Sequence, residues 1–265
     1  MPRSSSGVRN EHSLAGEKLS LLAVFAHSED EAFGPAGTLA KYASEGIEVS
    51  LVTATRNNVP TLVEEESQAH PRDRVCSCRA SGIRRACLFD YRHGELNRIA
   101  PAIIEERLVR LIREIRPQVI VTLGPTGLTG DHDTHIISAA ATAAFRNAGD
   151  ASMFSHHLHE GLQNWSPQKL YYCLLPASVV QHWGVSGLNA VPDDEITTRL
   201  DVSPYSQAMK NALYCQRHGA LDFIRRLIEV IEDQKIEWST EYYALMESHL
   251  RKKPKREKDL FAGLR

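Results

Sequence analysis

Residues 20–26 (SLLAVFA) form an apolar run without polar alternation, the pattern of a strand covered on both faces. A helical stretch over about 31–45 follows at once, and Gly46 supplies its C′ stop. The unit then repeats. Strands are expected at 47–53 (IEVSLVT), 86–89 and 118–123 (QVIVTL), with helices at 72–80, 101–114 and 135–147 between and after them. Strands separated by helices require a parallel sheet with right-handed crossovers, and the common doubly wound order sets the first strand beside the fourth. The expected fold class is therefore α/β, a Rossmann-like doubly wound, mostly parallel sheet. A less regular C-terminal portion begins near 150, with strands at 169–174 and near 196–202 and a helix opened by Ser203 as N-cap and Pro204 at N1.

A chain of 265 residues that is 42% hydrophobic can bury one large core. Residues 1–18, rich in Ser, Gly and charge, read as a disordered lead-in, and 19–265 as one domain. The net charge of -2 gives no basic field of the kind that gathers phosphates, so nucleic acid is not an expected partner. No stretch approaches the roughly 20 apolar residues of a membrane span, and a cytoplasmic setting is expected. A homo-oligomer is left open. Cys76, Cys78, Cys87, Cys173 and Cys215 are odd in number and scattered, which favours buried reduced thiols over a disulfide framework. The histidine tract at 156–159 reads as a solvated loop, and the charge run 251–258 as a solvated surface segment.

The first strand ends directly in His27-Ser28-Glu29-Asp30-Glu31, where ligands of open α/β sheets bind. A dinucleotide site would need glycines there, so that bare N–H groups could approach a pyrophosphate. Gly34 and Gly37 come too late and follow an acidic cluster. The fourth strand leads through GPTGLTG (124–130) into Asp131-His132-Asp133-Thr134-His135. Two groups of His and carboxylate side chains from neighbouring strands suit a divalent metal, and three protein ligands with one open position make a hydrolytic centre.

Several segments carry a family resemblance: AHSEDEAFGPAGTLAKYASEGIEVSLVTATR (26–56), LFDYRHGEL (88–96), IREIRPQVIVTLGPTGLTG (112–130), KLYYCLLP (169–176), ITTRLDV (196–202) and DLFAGL (259–264). Together they resemble the PIG-L/LmbE-like N-deacetylases, zinc enzymes that remove acetyl groups from N-acetylglucosaminyl compounds. The resemblance implies Zn²⁺ as cofactor, though the donor set admits another divalent ion, and an acylated amino sugar or related amide as substrate. It places His27 and Asp30 on the two zinc ligands of the first motif and Glu29 on the aspartate that acts as general base. His132 is then the expected donor to the oxyanion, and His135 the third ligand. Arg92 and His93 fall on a substrate-binding Arg-Asp-Gly stretch, and His70 on an arginine that contacts substrate.

The sequence departs from the family where chemistry is at stake. Ser28 replaces a proline, Glu29 lengthens the base, and His93 stands in for an aspartate. The second motif, HPDH in the family, has two registers. Ungapped, Asp131, Asp133 and Thr134 fall on its first histidine, its aspartate and its ligand histidine; shifted by one residue, His132 and His135 preserve a His-x-x-His pair. The shifted register is preferred, because a loop absorbs one residue more easily than a zinc site loses a ligand. The expected function is metal-dependent N-deacetylation. The alternative is a catalytically weakened family member that binds a ligand or partner.

Overall fold

The computed structural model describes residues 18–56, 76–216, 229, 239–250 and 256–265. The expected lead-in falls almost wholly outside these, as does His70. The core element is a seven-stranded sheet in the order β3-β2-β1-β4-β5-β7-β6. β1 (Ser20–Phe25), β2 (Glu48–Arg56), β3 (Arg85–Arg92), β4 (Val119–Leu123) and β5 (Lys169–Leu174) run parallel. β7 (Thr240–Ser248) returns antiparallel beside β5, and β6 (Thr198–Asp201) pairs antiparallel on its outer edge. The expected pairing of first and fourth strands is present, with Leu21 opposite Val119 and Val24 opposite Thr122.

Alternate residues of β1 feed two cores. Leu21, Ala23 and Phe25 pack on one face with Leu39, Tyr42, Met209 and Leu213; Leu22, Val24 and Ala26 pack on the other with Leu108, Ile112, Ile137 and Phe145. The first face is covered by α2 (Ala36–Ser44) and α7 (Ser206–Cys215), the second by α3 (Pro101–Ile115) and α4 (His132–Asn147). The helix expected over 31–45 is divided into α1 (Asp30–Phe33) and α2, with Gly34 and Pro35 between them. Proline has no N–H to continue a helical ladder, so the break falls there.

Two further short helices are α5 (His156–His159) and α6 (Ala177–Trp183). The histidine tract is thus not a solvated loop, and His157 is fully buried. The charge run near the end is likewise not wholly solvated: Glu257 is buried and pairs with buried Lys169 at 2.5 Å, and Leu260 and Phe261 enter the core. The cysteine reading also needs correction. Cys76 and Cys215 form a disulfide across 139 residues of sequence, while Cys78, Cys87 and Cys173 are not part of it. Tertiary packing brings the pair together, and neither spacing nor periodicity along the chain encodes that meeting.

Candidate metal centre

The chain winds outward from β1 through β2 to β3 on one side and from β4 to β5 on the other, so the sheet reverses its winding between β1 and β4. Ligands of open α/β sheets bind in the crevice at the carboxyl ends of the strands at such a point. His27 stands at the end of β1 and is 4% exposed. Both the backbone N–H and the side-chain hydroxyl of Thr55 donate to Ala26 O at 2.8 Å, which fixes this strand end against β2.

The His27 ring has acid on both sides. Nδ1 lies 3.7 Å from Asp30 Oδ2, an oxygen that also accepts the His27 backbone N–H at 2.9 Å. Nε2 lies 3.5 Å from Asp131 Oδ1 and 3.7 Å from Asp133 Oδ2, and is buried without a hydrogen-bond partner. Burial alone would lower the His27 pKa, but Asp133, Asp30, Glu29 and Asp131 outweigh it and hold it at about 9. Burial pushes Asp30 up to about 6 in spite of the neighbouring imidazole, and pushes Glu31 up to about 8. So many carboxylates in a poorly hydrated space call for positive charge at the ring.

α4 supplies the second half of the cluster. Asp131 is its N-cap, with Oδ1 accepting Thr134 N–H at 3.1 Å. That cap begins the helix at 132 rather than at the expected 135 and sets the rotation of its first turn. Asp133 and Thr134 face inward and are buried; His132 and His135 are exposed, with their rings stacked on each other 6.3 Å apart. Residues three apart share a helix face, so the pair moves together, and here that face is the solvent face. The structure therefore does not bring the expected donor His132 or the expected ligand His135 to His27; Asp131 and Asp133 stand there instead. The loop packs on the inner face of this turn: Gly127, at φ +57°, approaches so closely that a Cβ there would lie 2.9 Å from Thr134 Cγ2.

A third strand contributes a residue expected to touch substrate. His93, in the turn after β3, lies against His27 with ring centroids 4.5 Å apart and planes tilted by 51°. Ligand-capable atoms of His27, His93 and Asp131 all lie within 4.8 Å of one another. His93 is exposed, which leaves one side of the group open, and Arg92 beside it is exposed at the end of β3. Glu29, the expected base, is half-buried at the N-cap of α1 and near enough to raise the His27 pKa. His93 as a neighbour of His27 was not legible in the sequence, since only the bend after β3 brings it beside that ring.

A second group, Glu106, His156 and His157, is equally compact but lacks a free donor at its buried member. Arg113 Nη1 lies 3.2 Å from His157 Nδ1. Arginine can only donate, so Nδ1 accepts and the proton of the neutral ring sits on Nε2, pointing toward Glu106 Oε1 at 3.6 Å. That tautomer offers no lone pair to a cation.

The fold and the cluster define an α/β protein with a His–carboxylate centre at the switch point of its sheet. Residues 22–145 match the family model PIG-L, described as GlcNAc-PI de-N-acetylase. The chain is 31% identical to 1D-myo-inositol 2-acetamido-2-deoxy-alpha-D-glucopyranoside deacetylase 2 of Saccharopolyspora erythraea, over 91% of this chain and 99% of that protein. It belongs to the PIG-L family. Its fold is similar to that of N,N'-diacetylchitobiose deacetylase from Pyrococcus horikoshii, with a TM-score of 0.66 and 17% identity over 86% of this chain and 83% of that one. A similar fold occurs in 4-carboxy-2-hydroxymuconate hydratase from Pseudomonas putida KT2440, with a TM-score of 0.64 and 16% identity over 89% and 97%.

Proposed function

We propose that this chain is a metal-dependent N-deacetylase acting on an N-acetylated amino sugar, the substrate class named for its relatives. The observation that carries the reading is His27 Nε2, a buried ring nitrogen without a hydrogen-bond partner, facing carboxylates of a second strand end. A divalent cation fits that donor set, and Zn²⁺ is the ion we favour. It would be held at His27, whose ring has Asp30 on one nitrogen and Asp131 on the other. When bound, such an ion supplies Lewis-acid stabilisation of the negative charge that develops on the acyl oxygen.

The chain's own residues do the rest. Glu29, half-buried beside His27, takes a proton from the attacking water and returns one to the departing amine. A base one methylene longer than aspartate reaches further, so the acyl group is held farther from the α1 backbone than a shorter base would require. Arg92 and His93, exposed at the rim, face arriving substrate. No helix among the described residues is long and apolar enough to cross a membrane.

The test is acetate release from 1D-myo-inositol 2-acetamido-2-deoxy-alpha-D-glucopyranoside and from N,N'-diacetylchitobiose by zinc-supplemented protein. Wild type should release acetate, and Glu29→Gln should lose at least roughly two orders of magnitude in kcat with the fold intact. No acetate from either substrate would remove the reading. The alternative, a weakened member that binds without hydrolysis, has one observation in its favour: no histidine of α4 reaches the cluster. It predicts that wild type binds these sugars and that Glu29→Gln changes nothing.

A further inference from the structure

We infer that Asn189, between α6 and β6, is a positioning residue of the metal centre: it braces the loop that joins β4 to α4 and so sets where Asp131 stands against His27. The inference rests on the reading that a divalent ion binds at His27.

Asp131 has little room for displacement. One oxygen, Oδ1, both accepts the Thr134 N–H that caps α4 at 3.1 Å and lies 3.5 Å from His27 Nε2. A shift of this residue disturbs the helix start and the His27 contact together. It also carries the first turn of α4, where Asp133 lies 3.7 Å from the same nitrogen. Yet the chain that leads into Asp131 is GPTGLTG, residues 124–130, rich in the residue with the most backbone freedom to lose. Gly130, directly before Asp131, sits at φ +83°, a conformation open to glycine without cost.

The loop's internal ties are two turns, Gly127 N–H to Gly124 O at 2.8 Å and Gly130 N–H to Thr126 O at 2.9 Å, and Leu128 packs on the first core. Among the described residues, Asn189 is the only one beyond the loop that hydrogen-bonds to residues 125–130, and it does so twice. Its backbone N–H donates to Leu128 O at 2.8 Å, and its side-chain Nδ2 donates to Thr126 O at 2.8 Å. Thr126 O therefore takes both the Asn189 amide and the Gly130 N–H, which joins Asn189 through one carbonyl to the residue next to Asp131.

Asn189 is itself anchored. Two residues on, Val191 bridges Pro176 in parallel, donating its N–H to Leu175 O at 2.9 Å and accepting the Ala177 N–H at 2.8 Å. The loop after β4 is thus tied to the chain that leaves β5, the neighbouring strand. An amide suits this place because the carbonyl of Thr126 needs a donor, which a carboxylate of the same size does not offer.

Cobalt(II) titration of the full-length protein, read by absorption spectroscopy, tests the role beside thermal melts of the metal-free proteins. Asn189→Ala keeps the backbone bond to Leu128, removes the bond to Thr126 and, at a half-buried position, should fold. It should weaken Co²⁺ binding roughly 10-fold or more, within the range typical of losing a group that orients a metal site, and speed amide exchange at Gly130 in the metal-free protein. Asn189→Asp sets an oxygen against Thr126 O and should weaken binding at least as much. Ser178→Ala removes the hydroxyl bond to Asp193 elsewhere between β5 and β6, and should bind Co²⁺ like wild type. The inference is overturned if Asn189→Ala lowers Tm but keeps wild-type affinity, if Asn189→Asp binds like wild type, or if Ser178→Ala weakens binding as much as Asn189→Ala. Co²⁺ uptake by wild type with unchanged affinity in Asn189→Ala defeats the positioning role alone; no uptake by wild type defeats the metal reading and the inference with it. The expected affinity losses without acetate release from wild type defeat the deacetylase reading alone.

Discussion

Asp133 holds Gly94 in place: the buried carboxylate at the start of α4 accepts the Gly94 N–H at 2.5 Å and, through its other oxygen, the Leu96 N–H at 3.1 Å. The turn that carries His93 is thereby fastened to the helix that carries Asp131, and the same carboxylate faces His27 at 3.7 Å. Hydrogen bonds from Gly94 and Leu96 and the adjacent imidazole overcome the effect of burial and keep the Asp133 carboxyl below its ordinary pKa.

Asp133→Ala leaves the buried Leu96 N–H and the part-buried Gly94 N–H without acceptors and should destabilise the fold by about 1–3 kcal/mol. Because Asp133 faces His27 Nε2 at 3.7 Å, metal affinity should fall as well. Asp133→Asn retains one acceptor and should show the smaller loss in both. Urea denaturation with parallel Co²⁺ titration measures the two effects, and an alanine variant as stable as wild type would contradict this account of the turn.

Arg113 is 2% exposed and donates to the carbonyl oxygens of Ala148, Asp150, Met153 and Phe154, as well as to His157 Nδ1. A single guanidinium fork thus satisfies the irregular chain between α4 and α5, which has no ladder of its own. Arg113→Ala should cost about 3 kcal/mol or more, and Arg113→Lys should recover only part of it, because an ammonium lacks the planar fork. Thermal denaturation of both variants decides the matter: a lysine variant equal to wild type would show that charge, not geometry, holds the segment.

How much of this could be read in the chain varies with how local the cause is. β1, β4 and β5 declare themselves as apolar runs, and the helix-separated spacing gives their order. The His27–Asp30 cluster is legible because it lies contiguous with a strand end. The α4 half is not, since its inward residues depend on the phase of one helical turn, which the Asp131 cap sets. β7 escaped notice because Glu241 interrupts its apolar pattern, although that carboxylate is buried under the first turn of α2. A charged residue at a core position conceals a strand from any reading based on alternation.

Glu241 also gives a pH dependence. It accepts Gly37 N–H at 2.8 Å and Thr38 N–H at 2.9 Å, with Tyr243 O–H at 3.0 Å. Burial nevertheless outweighs these bonds and pushes its pKa up to about 7. A carboxyl that holds its proton more tightly folded than unfolded contributes stability that is complete below its ordinary pKa and is lost as pH rises through 7. Between about pH 4.5 and 7 wild type should therefore lose part of its stability, and Glu241→Gln should lose less over that range. The variant should also start lower, by about 1–3 kcal/mol, because its amide turns an N–H₂ toward one backbone donor. Equal slopes for the two proteins in urea melts across this window would refute the assignment.

The Cys76–Cys215 disulfide closes 139 residues of chain and anchors the end of α7. The next residue, Gln216, donates through Nε2 to Ser28 O at 2.7 Å, so the bond is coupled by one peptide step to the loop that holds Glu29. Loop-closure entropy for so long a span sets an upper bound near 5 kcal/mol, and native disulfides typically contribute about 2–4. Reduction should then lower Tm by roughly 5–15 °C for a domain of this size. A Cys76→Ser/Cys215→Ser protein should melt at the reduced temperature whether or not dithiothreitol is present. Since Ser28 loses the restraint that Gln216 provides, reduced protein should also show a lower kcat at unchanged metal content, as the proposed base Glu29 is held less firmly. If reduction lowers Tm but leaves kcat untouched, the Gln216 contact is structural only and the coupling to Glu29 is wrong.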